Sequence, residues 1–220
     1  MKPAILPFLA ATLAGFGDVS SPPPTTLLEF AGASSKPARL SEAALVVVDA
    51  QRFYVDGKLR LAGIDEAVAE IARLLTRARE LHTPVVHIVQ QGRADSPIFT
   101  SGTPAVEIIP ALAPIAGETV IVKTLPNGFA GTSLDEALRR SSRKELIVVG
   151  FMTHNCVSST VRSALDHGYR STVVATACAT RDLAGAHRST IPASVVQEAE
   201  LAALRDRSAA VAQSAAEIED

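Results

Sequence analysis

The sequence predicts a three-layer, Rossmann-like α/β fold with a six-stranded parallel sheet and helices on both faces. Three observations predict it. Short, β-branched apolar runs recur without polar alternation, as in ALVVVD (44–49), TVIV (119–122) and LIVVG (146–150), and such runs mark strands buried on both faces. Between them lie stretches whose apolar residues have helical spacing. The two kinds of segment alternate, and parallel strands need crossovers of that kind.

The elements follow in order. Ala44–Asp49 is the first strand. Ile64–Leu81 carries apolar residues at 64, 68, 71, 74, 75, 78 and 81, the stripe of an amphipathic helix. Pro84–Val89 is the second strand, and Thr119–Val122 the third, after a Pro-rich stretch at 97–114. Ser133–Arg140 is a short helix and Leu146–Gly150 the fourth strand. A helix over Asn155–His167 follows, with Gly168 placed to cap its end. Thr172–Ala175 is the fifth strand, Pro192 opens a helix to Arg205, and Ala209–Ala212 is a short sixth strand.

The N-terminus stands apart. Lys2 precedes an apolar stretch, Ala4–Phe16, which is too short to span a bilayer. It reads as a helix packing on the domain or on a partner subunit, with a secretory signal as the alternative. Three consecutive prolines then make 18–26 an extended linker. The domain boundaries expected are 1–24 for this segment and 25–220 for the single domain.

Composition excludes several function classes. The 220 residues are 47% hydrophobic and 20% charged, with net charge -2 and the signs interspersed, so no basic stripe serves nucleic acid. Aromatics are only 4% and Trp is absent, which leaves no base-stacking platform. Cys156 and Cys178 read as free thiols and so point to the cytoplasm, with export the alternative that the apolar N-terminus raises. Five scattered histidines lack ligand spacing, so no metal and no cofactor is expected.

In parallel α/β sheets the chemistry gathers beyond the carboxyl ends of the strands. Asp49 closes the first strand, Lys123 follows the third, and Cys156 lies past the fourth, near a helix start. A thiol there feels the helix dipole, and a neighbouring Lys123 would lower its pKa further. Asp49 would take and return its proton, and amides of the preceding turn would hold an oxyanion. Each residue alone has an ordinary structural reading: a buried apolar Cys, a capping Asp, a solvated Lys. Cys178 fits the ordinary reading of a cysteine.

Together, LVVVDAQRFY (45–54), VKTLPNGFAGTSL (122–134) and VVGFMTHNCVSSTVRSALDHGY (148–169) resemble the isochorismatase-like cysteine hydrolases, over roughly residues 40–205. The segment VVATACATRD (173–182) agrees more loosely. The resemblance implies an Asp49–Lys123–Cys156 triad. It also implies a cis peptide between Phe151 and Met152, and an oxyanion hole made by the Met152 and Cys156 amides. Nicotinamidases in that superfamily resemble one another in a D-x-H metal motif, and here residue 51 is Gln. Isochorismatases that cleave vinyl ethers lack the cysteine, so its presence implies hydrolysis of a C–N bond in a small amide or carbamoyl compound. Carbamoylsarcosine amidases are similar in placing a carboxylate-binding arginine where Arg181 stands.

Further substrate-binding candidates are Gln51 (also a partner for Asp49), Phe53, Phe129, His154 and Asn155. The resemblance also implies a homo-oligomer, a dimer or tetramer. Two other readings stay open: a vinyl-ether hydrolase using Asp49 as acid, and a binding protein that keeps the fold without turnover.

Overall fold

Strand β1 (Ala43–Val48) runs through the middle of the sheet, and its six residues are all buried. Their alternation divides the interior into two cores. Ala43, Leu45 and Val47 face one side, where helix α2 (Ile64–Glu80) contributes Ile64, Ile71, Leu74 and Leu75. Ala44, Val46 and Val48 face the other. There Leu134 comes from α3 (Leu134–Arg140), Val161 from α4 (Ser158–Asp166), and Leu201 and Leu204 from α5 (Ala193–Arg207). Each Leu or Ile removed from water in this way contributes about 1.5–3 kcal/mol. Asp65 and Glu66 in the first turn of α2, and Arg77 and Arg79 in the last, match the helix dipole.

The remaining strands are β2 (Val85–Gln90), β3 (Thr119–Lys123), β4 (Glu145–Phe151), β5 (Arg170–Ala179) and β8 (Ala209–Ala212). With β1 they form a six-stranded sheet in the order β3-β2-β1-β4-β5-β8, all neighbours parallel. The chain fills one half of the sheet outward from β1 and then returns to fill the other from β4. The switch point therefore lies between β1 and β4, where such sheets open a crevice beyond the strand ends.

This computed structural model describes residues 22–220. The apolar stretch Ala4–Phe16 lies outside the described residues. From Leu27 the chain forms a single helical turn, α1 (Leu27–Phe30), closed by a capping box between Thr26 and Glu29. Among the described residues no helix is long and apolar enough to cross a membrane.

Three departures from the sequence reading bear on the site. The stretch expected as one helix from Asn155 begins as a π-helical turn, Thr153–Val157, and becomes α-helical only at Ser158; such turns recur at functional sites because they re-aim side chains. Strand β5 runs on to Ala179, so Cys178 sits within it, buried, rather than after it. The loop after β5 carries a small antiparallel pair, β6 (Leu183–Ala184) with β7 (Thr190–Ile191).

Glycine is required at one place in particular. Gly150 has φ +118°, and a Cβ there would lie 2.0 Å from the Val48 carbonyl oxygen. The register of β4 against β5 shifts at this point. The backbones of β1 and β4 thus approach each other next to the site, which no side chain would permit.

Candidate active site

Three strand ends bring three side chains together. Asp49 is the residue after β1 and holds a left-handed φ of +46°, a conformation that a non-glycine residue adopts at some cost. Lys123 ends β3, and Cys156 rides on the π-helical turn after β4. Lys123 Nζ lies 2.8 Å from Asp49 Oδ2 and 3.3 Å from Cys156 Sγ. Both members of the ion pair are fully buried. The ammonium thus stands against the carboxylate on one side and the sulfur on the other.

Met152, which leads into the turn, follows a cis peptide bond from Phe151. Met152 and Cys156 both line a pocket of about 490 Å³. Its apolar wall is aromatic: the Phe53 ring packs on Phe99 at 4.4 Å and edge-on to Tyr54 at 5.4 Å. Leu59, Ile98 and Pro126 continue that wall, and Gln90, Thr124, Asn155 and Arg181 supply polar edges. Arg181 gives one Nη1 hydrogen bond to the Asp182 carbonyl, while its buried Nε has no partner among the described residues.

The electrostatics correct one expectation. Burial pushes the Cys156 thiol up to about 12, and the Asp49 charge adds to this, outweighing the opposing pull of Lys123. Burial likewise raises the Asp49 carboxyl, against the pull of Lys123. The thiol therefore rests protonated rather than as a preformed thiolate. The physical reason is that removal from water disfavours any anion, and one ammonium serves two acids. The Tyr54 phenol is also raised, first by burial, and stays neutral.

Three candidates fall elsewhere. Gln51 does not bond the Asp49 carboxylate; it is fully buried and its amide bonds the backbone of Gln90 and the Val106 carbonyl instead. Phe129 is not a pocket wall. It stacks on His167 at 4.6 Å in the core beside α4, because Gly128 lets its loop pack closely against Ile88 and Leu134. His154 turns away from the pocket, its Nδ1 sharing a 2.5 Å hydrogen bond with the Thr180 hydroxyl. Burial lowers the His154 pKa, so the ring is neutral near pH 7.

Phe53, Asn155, Arg181 and Met152 do line the pocket, whereas Gln90, Tyr54 and Phe99 escaped the sequence reading. Tyr54 follows Phe53 directly in a short 3₁₀ turn, and that adjacency was the available signal. Among the described residues no group of three or more His, Cys, Asp or Glu side chains gathers as a ligand set for a metal. The two cysteines are not bonded to each other.

Residues 43–215 match the isochorismatase domain family. The chain belongs to that family. An isochorismatase of known structure from Pseudomonas putida KT2440 superposes with a TM-score of 0.85 at 45% identity, covering 89% of this chain and 99% of that one. A secreted isochorismatase effector of Verticillium dahliae is 38% identical over 154 residues, 70% of this chain and 81% of its own length. A streptothricin hydrolase of Streptomyces noursei is 34% identical over 175 residues, 79% of this chain and 69% of its own. The maleamate amidohydrolase of Pseudomonas putida is 29% identical over 147 residues, 60% of this chain and 69% of its own. The protein is thus an isochorismatase-family hydrolase, and named relatives in the family act on amides.

Proposed function

We propose that this family member hydrolyses a C–N bond in a small amide or carbamoyl compound, with Cys156 as the covalent nucleophile. The observation that carries the reading is the buried Lys123 ammonium placed between the Asp49 carboxylate and the sulfur of Cys156, which lines the pocket. Carboxylate, ammonium and thiol together hold one proton that either acid can carry. Moving it from sulfur to Asp49 leaves the net charge of the buried site unchanged. Activation therefore avoids the large cost of creating a new buried charge.

The steps follow from that transfer. Asp49 takes the thiol proton as sulfur attacks the carbonyl carbon. The Met152 and Cys156 amides hold the oxyanion. Asp49 returns the proton to the leaving nitrogen, the C–N bond breaks, and a thioester remains. Water, giving a proton to Asp49, attacks the thioester; the C–S bond breaks and the sulfur recovers that proton. The names of the amide-hydrolysing relatives support the choice of bond.

The test is ammonia or amine release across small amides, carbamoyl acids and ureido acids, before and after treatment with iodoacetamide. Release that iodoacetamide silences supports the reading. Undiminished release from an enzyme fully alkylated at Cys156 overturns it and favours acid catalysis by Asp49 alone.

Arg181 on the pocket edge supports a carboxylate on the substrate, since a guanidinium offers a planar fork of donors to such a group. Arg181→Ala is expected to raise KM for carboxylate-bearing substrates about 10–100-fold, the worth of a charged hydrogen-bonded contact, and to leave uncharged amides nearly unaffected. Equal effects on both substrate classes would remove Arg181 from substrate recognition.

A further inference from the structure

An ammonium has three N–H donors and no acceptor. Lys123 Nζ has three neighbours: Asp49 Oδ2 at 2.8 Å, Cys156 Sγ at 3.3 Å and Gln90 Oε1 at 2.7 Å. The first two belong to the triad, and the third is outside it. The orientation of the Gln90 amide is not arbitrary, because only its oxygen can face a group that has nothing but donors.

Gln90 is held with unusual completeness. It is the register partner of Lys123 across the β2–β3 pair. On its other side Gln51, fully buried, accepts from the Gln90 N–H at 2.8 Å and donates to the Gln90 carbonyl at 2.9 Å. The same Gln51 amide also donates to Val106 at 2.9 Å, tying the loop after β2 to the end of the strand. A buried amide thus clamps the backbone of Gln90, and the Gln90 side chain holds Lys123. Two neutral amides reach the triad in series.

We propose that Gln90 is a positioning residue for the triad: its side-chain Oε1 takes the third N–H of Lys123 and fixes the ammonium between carboxylate and sulfur. Because the amide is uncharged, it completes the shell of Lys123 without adding a second anion. A carboxylate in the same place would compete with the thiolate for the one cation. The proposal rests on the reading of Cys156 as the working thiol. The other ionisable groups facing that thiol are Asp49 from the end of β1, Lys123 from β3, and Tyr54 and Arg181 across the pocket. The Gln90 side chain reaches the thiol through Lys123.

The test does not require turnover. The rate of Cys156 alkylation by iodoacetamide is measured at pH 8, with the site assigned by peptide mass spectrometry and buried Cys178 as internal control. Gln90→Glu keeps the shape and adds a charge, and it is expected to slow alkylation at pH 8 by about tenfold or more, the loss of thiolate that a one-unit rise in the thiol pKa produces at any pH below it. Gln90→Met keeps the bulk and removes the acceptor, and is expected to slow alkylation at pH 8 by about tenfold, because the loosened ammonium no longer stays on the sulfur. Thermal melting of each variant checks that it is folded, and Gln90→Met decides the matter if Gln90→Glu does not fold. Folded variants that are alkylated at the wild-type rate would overturn the proposal. These results are independent of the hydrolase reading: shifted alkylation in a protein that cleaves no amide would sink that reading and leave this one standing.

Discussion

Lys123→Met is expected to lower stability by about 3–5 kcal/mol at pH 8 and to abolish hydrolysis, because it strands a buried carboxylate. Lys123 and Asp49 are both fully buried, and no other cation stands within ion-pair reach of Asp49 among the described residues. Burial already raises the Asp49 carboxyl even with the ammonium beside it. Without that ammonium the folded-state pKa climbs further above the unfolded value. A carboxyl of that kind keeps its proton in the folded state at a pH where the unfolded chain has released it. Stability then falls as pH rises from the unfolded carboxylate value toward the folded one. The variant is therefore less damaged at pH 5 than at pH 8. Urea melts at the two values measure this directly. A loss that is small and the same at both would mean that the pair is not the buried charge couple described above.

Gly150→Ala is expected to leave no folded, soluble protein, or at best one weakened by more than about 4 kcal/mol. The added Cβ would sit 2.0 Å from the Val48 carbonyl oxygen, and the nearby Val48 carbon and nitrogen are also within 3 Å. All three are backbone atoms of the central strand, so no rotamer change relieves the clash. The φ of +118° adds strain of its own for any residue with a side chain. Separating β1 from β4 here would also pull Asp49 from Cys156, so partial rescue of the fold should not restore activity. Soluble expression and thermal melting test the point. A variant melting within a few degrees of the parent would show that the strands can move apart freely.

Much of the fold was legible because buried parallel strands read as unbroken β-branched runs. The strands β1, β2, β3 and β4 came within a residue of their observed bounds for that reason. The convergence of Asp49, Lys123 and Cys156 was legible too, since strand ends in such sheets share one rim. What was hidden depends on three-dimensional register or on burial. Gln90 carries no chemistry in its own name; it matters because β2 and β3 pair it with Lys123. The thiol was expected to be acidified by a helix dipole and a cation, but desolvation outweighs both, and the depth of burial cannot be counted along a sequence. Phe129 looked like a wall because it follows Lys123 closely, yet Gly128 directs that loop into the core beneath α4. Gln51 stands two residues from Asp49 but turns to Gln90, because the chain bends at the left-handed Asp49.

The central claim is that Cys156 forms a covalent bond with the substrate at a carbonyl carbon. Its most direct measurement is Cys156→Ala on whichever amide the release assay identifies, with the melting temperature followed alongside. The thiol is small and buried, so alanine leaves the fold almost unchanged. Turnover should fall by at least about a thousandfold, as befits loss of a covalent nucleophile, and mass spectrometry during turnover should find an acylated form in the parent and none in the variant. A folded Cys156→Ala enzyme that still turns over at near the parental rate would contradict the account.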